Sequence, residues 1–287
     1  MNEDRYKLTK KAGILGISGN IFLLVIKAIV GFVFKSQSMI ADSFNSAGDI
    51  FASLMTFIGN KIASAPNDED HNFGHGKAEY IFSMFIGISM ILVAIKLFYD
   101  SICTLLLGSK LEFSWLLIIV CIITIIVKFS LFLYTKKAYK KHNNILLESN
   151  MKDHRNDCIV TSFTLLSIIL SLFGIYWFDS IVGIGISIWI GYTGISIFLE
   201  SYNVLMDESI DEKTKDLILD VIKSFPDVKM VDSISSSPVG SQYIIFATIC
   251  VDGNLSTFNS HSLANNIEIS VSKINKVYKT VVHVEPI

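Results

Sequence analysis

Two pairs of oxygen-bearing side chains stand four residues apart in this sequence: Asn45 and Asp49 in MIADSFNSAGDIFASL, and Asp153 and Asp157 in SNMKDHRNDCIVTS. On an α-helix, positions i and i+4 share one face, a turn apart. Two such pairs on neighbouring helices present four oxygen donors to a single cation, which is how helix bundles assemble metal sites. Both runs fall inside long hydrophobic segments, where an unpaired carboxylate costs about 2.5–3.5 kcal/mol even on a lenient insertion scale. A bound cation or a proton must offset that cost. An Asn, Asp, Asp, Asp set is all hard oxygen and suits Mn2+, Mg2+ or Ca2+, whereas imidazole and thiolate favour Zn2+ and copper. His154, next to Asp153, projects about 100° away on a helix and reads as an interfacial histidine. Three carboxylates around one divalent ion leave a negative charge, to be balanced by a retained proton or by a cation such as Arg155. Without metal, three acids so close in apolar surroundings cannot all ionise cheaply. The site is therefore expected to hold protons when empty and to release them when metal binds.

The elements that position these residues are membrane helices. Of 287 residues, 51% are hydrophobic and only 17% charged, and the mean hydropathy of +0.53 places the chain in the membrane class. Six segments, near 12–34, 39–63, 80–107, 114–135, 147–174 and 177–203, have the roughly 20 apolar residues needed to cross a bilayer. The second and fifth are the least apolar and carry Asp42, Asn45, Asp49, Asp153, Arg155, Asn156 and Asp157. Arg5, Lys7, Lys10 and Lys11 precede the first span, Lys77 precedes the third, and Lys136, Lys137, Lys140 and Lys141 follow the fourth; the other side has little more than Lys35 and Lys110. The positive-inside rule then puts both termini and the loops 64–79 and 136–146 in the cytoplasm. The first span is too long for a signal peptide and reads as retained.

From residue 208 the long apolar runs stop. DEKTKDLILDVIKSF has helical spacing, VKMVDSISSS and QYIIFATICVDG read as strands around the turn SSPVGS, SLANNIEISVSKINKVY is a second helix, and KTVVHVEP a closing strand. This order gives a small α+β, ferredoxin-like cytoplasmic domain over 208–287, after a six-helix transmembrane domain over 1–207. A formal net charge of −2 and no basic cluster argue against nucleic acid. Cys103, Cys121, Cys158 and Cys250 are far apart and read as free thiols. The chain lacks a GxxxxGK[ST] phosphate loop and an HExxH motif, which argues against an ATP-driven pump and against an intramembrane metalloenzyme. A metal-sensing receptor would not need acidic pairs in two spans.

The loop NDEDHNFGHGKAE places Asp68, His71 and His75 within eight residues. Their mixed nitrogen and oxygen donors suit a first-row transition metal.

ADSFNSAGD, PNDEDHNFGHGKAE, DHRND and the tail ending HVEP together resemble the cation diffusion facilitators, end to end. The resemblance implies a homodimer that exports a divalent metal from the cytoplasm in exchange for protons, with no resident cofactor and no enzymatic activity. It puts the transport site on Asn45, Asp49, Asp153 and Asp157. Zinc-transporting members usually have a histidine where Asp153 stands, so the match is to the manganese type, with Zn2+, Fe2+, Co2+ or Cd2+ as alternatives. It implies a second metal site, open to Zn2+ or another divalent ion, at Asp68, His71 and His75. Lys77 and Asp207 resemble a charge interlock that orients the two protomers. Asp232, His261, His283 and Glu285 stand where a C-terminal metal cluster is found in zinc-type members, with Asp232 and Thr248 in place of histidines. The short loops fit a bacterial cell membrane.

Overall fold

Six long helices make up most of the chain: α1 (Glu3–Val33), α2 (Gln37–Ala63), α3 (Ala78–Leu107), α4 (Trp115–His142), α5 (Ile145–Ser171) and α6 (Trp177–Leu205). The computed structural model describes residues 3–33, 37–107, 115–171, 173–175 and 177–287. Lys35 and Lys110 lie outside them, and the side chains of Asp42 and Asn45 are likewise outside the described set. Among the described residues, four segments are both long and apolar enough to cross a membrane: Asp4–Val30, Ala78–Leu107, Trp115–His142 and Gly183–Leu205. Those in α2 and α5 are not among them, as their polar residues dictate.

Two helices extend beyond their apolar runs. α1 begins at Glu3, several residues before the apolar run begins, and α4 continues to His142 through Lys136, Lys137, Lys140 and Lys141. Lysine is a good helix former, and Lys140, Lys141 and His142 in the last turn complement the negative end of the helix dipole.

The chain divides into two compact units, one of residues 1–64 and 78–201, the other of 65–77 and 202–287. In the first, small residues let helices approach closely, the packing mode available where no hydrophobic force drives helices together. A Cβ on Gly16 would meet Ser53 Oγ at 2.5 Å, and Gly87 of α3 faces Gly194 of α6 with a carbonyl 2.9 Å from each would-be Cβ. Polar ties secure one end of the bundle. Arg5 of α1 pairs with Glu79 of α3, which also accepts from Asn144 Nδ2 at 3.0 Å. Asn144 in turn caps α5, its Oδ1 accepting the Leu146 N–H at 2.8 Å. Tyr6 donates to the Ala63 carbonyl, and Asn60 to that of Tyr6.

The second unit holds α7 (Glu212–Lys223), β1 (Met230–Val239), β2 (Gln242–Val251), α8 (Thr257–Val271) and β3 (Val277–Pro286). β2 is central, antiparallel to β1 and parallel to β3, with α8 as the crossover. Alternation along β2 sends Ile245, Ala247 and Ile249 into a core shared with Ile218, Ile222, Ile267 and Val271 of the two helices. The hairpin turn is tighter than the sequence suggests. SSPVGS reads as a turn, but β1 runs to Val239, and Gly240, at φ +61°, makes the reversal with Ser241.

Candidate metal centre

Asp49 sits in α2, and Asp153 and Asp157 in α5. At 1.5 Å per residue, Asp49 and Asp157 lie about 20 Å along their helices from the ends at Ala63 and Ile145. Both carboxylates converge on a residue that spacing arguments do not reveal. Lys128 of α4, only 1% exposed, donates from Nζ to Asp49 Oδ2 and to Asp157 Oδ2, each at 2.6 Å. Such short charge-assisted bonds are the strong kind, and a buried ammonium is tolerable in a bundle when paired this way. Asp153 contributes an Oδ2 that has no hydrogen-bond partner among the described residues.

Beside these groups is a small cavity of about 50 Å³. Gly48, Asp49, Asp153, Asn156 and Asp157 line it, together with Met90 of α3 and Ile190 of α6. It has room for one ion or water. The Asp49 and Asp157 side chains are 19% and 26% exposed, both at the lining of this cavity.

Two expectations from the sequence are corrected. His154 is not an interfacial histidine: it is fully buried, and one of its ring nitrogens lies within 4.8 Å of carboxylate oxygens of Asp153 and Asp157. Neither nitrogen has a hydrogen-bond partner among the described residues. The 100° offset holds along the helix, but α5 is surrounded on several sides, and the His154 ring packs towards Gly16 of α1, where a Cβ would be 3.8 Å from Nε2. The donor set therefore gains a nitrogen. Arg155 is not the balancing cation either. Its guanidinium stacks on Trp189 at 4.8 Å and donates to Asn156 Oδ1 at 3.3 Å, while Lys128 meets the carboxylates. A second buried lysine, Lys27 of α1, donates to Ser46 Oγ at 3.2 Å, one turn before Asp49.

In the second unit, Asp68, His71 and His75 bring one donor atom each to within 4.8 Å of one another. Asp68 Oδ1 accepts the His71 backbone N–H at 2.6 Å, and this bond holds the carboxyl below the usual carboxylate range. His75 Nδ1 faces the Pro66 carbonyl at 3.2 Å, and Nε2 lies 3.5 Å from Asp68 Oδ2. Donation from Nδ1–H to that carbonyl leaves the Nε2 lone pair directed at the cluster, the tautomer a metal ligand needs. Gly76 fixes the loop against the β1–β2 hairpin: a Cβ there would meet Gly240 Cα at 3.0 Å. Next in sequence, Lys77 donates to Asp207 Oδ1 at 2.9 Å, and this bond holds the Asp207 carboxyl low.

The four C-terminal candidates do not share a face. His283 and Glu285 lie on β3, paired in register with Thr248 and Cys250, and approach each other to 3.7 Å. Asp232 falls at the irregularity between Val231 and Ser233 of β1. His261 is on α8, its Nε2 3.2 Å from the Asn265 amide nitrogen.

Comparison with known proteins divides the chain at a similar point, with residues 65–77 counted in the transmembrane part. Residues 13–206 match the cation efflux transmembrane domain, and residues 210–287 match the cation efflux protein cytoplasmic domain. An uncharacterized transporter of Methanocaldococcus jannaschii is 30% identical over 276 residues, covering 96% of this chain and 98% of the relative. The manganese efflux system protein MneS of Bacillus subtilis is 28% identical over 99% of this chain and 98% of its own length. The cation-efflux pump FieF of Shewanella oneidensis is 27% identical over 97% and 94%. With acidic helices at its centre and both domains matched, the chain belongs to the cation efflux family of membrane transporters.

Proposed function

We propose that this chain exports Mn2+ from the cytoplasm in exchange for protons, as a homodimer in a bacterial cell membrane with both termini cytoplasmic. The observation that carries the reading is the meeting of Asp49, Asp153 and Asp157 at a one-ion cavity deep in a cation-efflux bundle. Asn45, a turn from Asp49 in α2, completes the donor set. Carboxylates in apolar surroundings hold either metal or protons, and this alternation couples the two fluxes. Mostly hard oxygen donors favour Mn2+, and two relatives are named as manganese efflux proteins. The matched cytoplasmic dimer domain supports the homodimer, with Lys77 and Asp207 as its interlock. Asp68, His71 and His75 form an accessory site for a transition metal, regulatory or structural in role. Asp232, His283 and Glu285 offer a weaker one, with His261 separate.

His154 favours a second reading, broader selectivity over Fe2+, Co2+, Cd2+ and Zn2+, because its nitrogen adds a softer donor. Transport into proteoliposomes with an imposed proton gradient decides between them. Mn2+ should move, Zn2+ barely, and Asp49→Ala neither; Asn45→His should gain Zn2+. Equal wild-type rates for Mn2+ and Zn2+ would favour the broader reading, and metal flux with no counterflow of protons would end the exchange proposal.

A further inference from the structure

The carboxylates proposed to bind the transported ion already hold a cation that belongs to the protein. Lys128 reaches them from α4, whereas the cavity is walled by α2, α3, α5 and α6. An ammonium has three donors and no acceptor, and two of them are spent on Asp49 Oδ2 and Asp157 Oδ2 at 2.6 Å. At that length the lone pairs facing Lys128 are committed. An Mn2+ or similar ion needs carboxylate oxygens at close to 2 Å, and two cations cannot crowd the same oxygens without strong repulsion. Lys27 of α1, donating to Ser46 Oγ a turn before Asp49, adds a second positive charge on the α2 side.

We propose that Lys128 is a tethered counter-ion of the transport site: it occupies Asp49 and Asp157 when metal is absent, and metal loading displaces its ammonium from them while its charge stays in the bundle. The inference rests on the reading of Asp49, Asp153 and Asp157 as the metal-binding set. A competing charge on a four-carbon stem lowers the affinity of the site and so prevents the ion from being trapped there. It also ties α2, α4 and α5 together in the empty state, so that loading frees them to rearrange. Lys128 thereby acts on metal through the ligands it releases, as a positioning residue.

This role and a purely structural ion pair predict opposite changes in affinity. Mn2+ binding to the purified full-length protein, followed by the loss of the free-ion electron paramagnetic resonance signal, would be measured for the wild type, Asp49→Ala, Lys128→Met, Lys128→Gln and Lys128→Arg. With the competing charge gone, Lys128→Met and Lys128→Gln should bind Mn2+ at least tenfold more tightly, with slower turnover in proteoliposomes, and Lys128→Arg should bind no more tightly than the wild type. Lys128→Gln keeps a hydrogen-bond donor for the carboxylates and serves if Lys128→Met does not fold. Wild-type or weaker affinity in a folded charge-free variant overturns the proposal. If Asp49→Ala binds Mn2+ as the wild type does, the site assignment itself fails, which is a separate result.

Discussion

The two clusters of candidate metal-ligating side chains in this molecule solve one electrostatic problem in different ways. Asp68, His71 and His75 sit in a largely exposed loop, where solvent supports the carboxylate and the His71 backbone N–H and the two neighbouring imidazoles orient it. Asp49, Asp153 and Asp157 lie within helices, and the protein supplies its own cation, Lys128, to hold two of them. A cluster of acids in water needs only positioning, whereas one in a bundle needs a counter-charge as well. The difference also separates their chemistry, since the loop set is rich in nitrogen and the bundle set in oxygen.

The largest effect that would sharpen this contrast is on flux. Asp49→Ala should reduce Mn2+ transport at least a hundredfold in a proteoliposome assay, and a similar loss from Asp68→Ala would break the distinction between transport and accessory sites. His154→Ala should come next. If its ring nitrogen contributes to the site, Zn2+ binding falls about tenfold and Mn2+ binding by less, on the scale of losses seen when ligand-shell groups are removed; competition titration against a chelator measures both. In the loop, His75→Ala should remove one tightly held transition metal per chain, as counted by elemental analysis of washed protein.

Acid should affect the loop late. Because the folded Asp68 carboxyl is held below its ordinary value, the turn it caps is at full strength above about pH 4, the unfolded range for Asp, and is lost only as pH falls through the lowered folded value. Amide exchange at His71 should therefore be unchanged between pH 7 and 5 after correction for the intrinsic rate, and loosening in that window would contradict the cap. The smallest effect is expected at Lys77, whose bond to Asp207 is solvent-exposed. Lys77→Ala should cost no more than about 1 kcal/mol in unfolding free energy.

Much of the fold is legible in the sequence because it follows from local pattern. The strand and helix periods around Ile245, Ile249, Ile218 and Ile222 place the core of the second unit, and the i, i+4 spacing puts Asp153 and Asp157 on one face. What lies across helices is harder. Lys128 stands alone in WLLIIVCIITIIVKFSLFLY, the most apolar span, with no partner within a turn. Its signal is nonetheless present, since a lone charge in mid-span asks for a buried partner, but only packing reveals that the partners come from α2 and α5. His154 shows the limit of helical-wheel reasoning, which assigns one functional face to a helix that has neighbours on several. Arg155 shows the converse, because adjacency in sequence does not bring its guanidinium to the acids when Trp189 offers a face.

The contact of Gly87 with Gly194 bears on the cavity in another way. Those glycines bring together α3 and α6, which also supply Met90 and Ile190 to the cavity wall a turn away. Any larger residue at either position acts as a spacer between the helices. The calibre of the cavity is thus governed by two residues that have no side chain and do not line it.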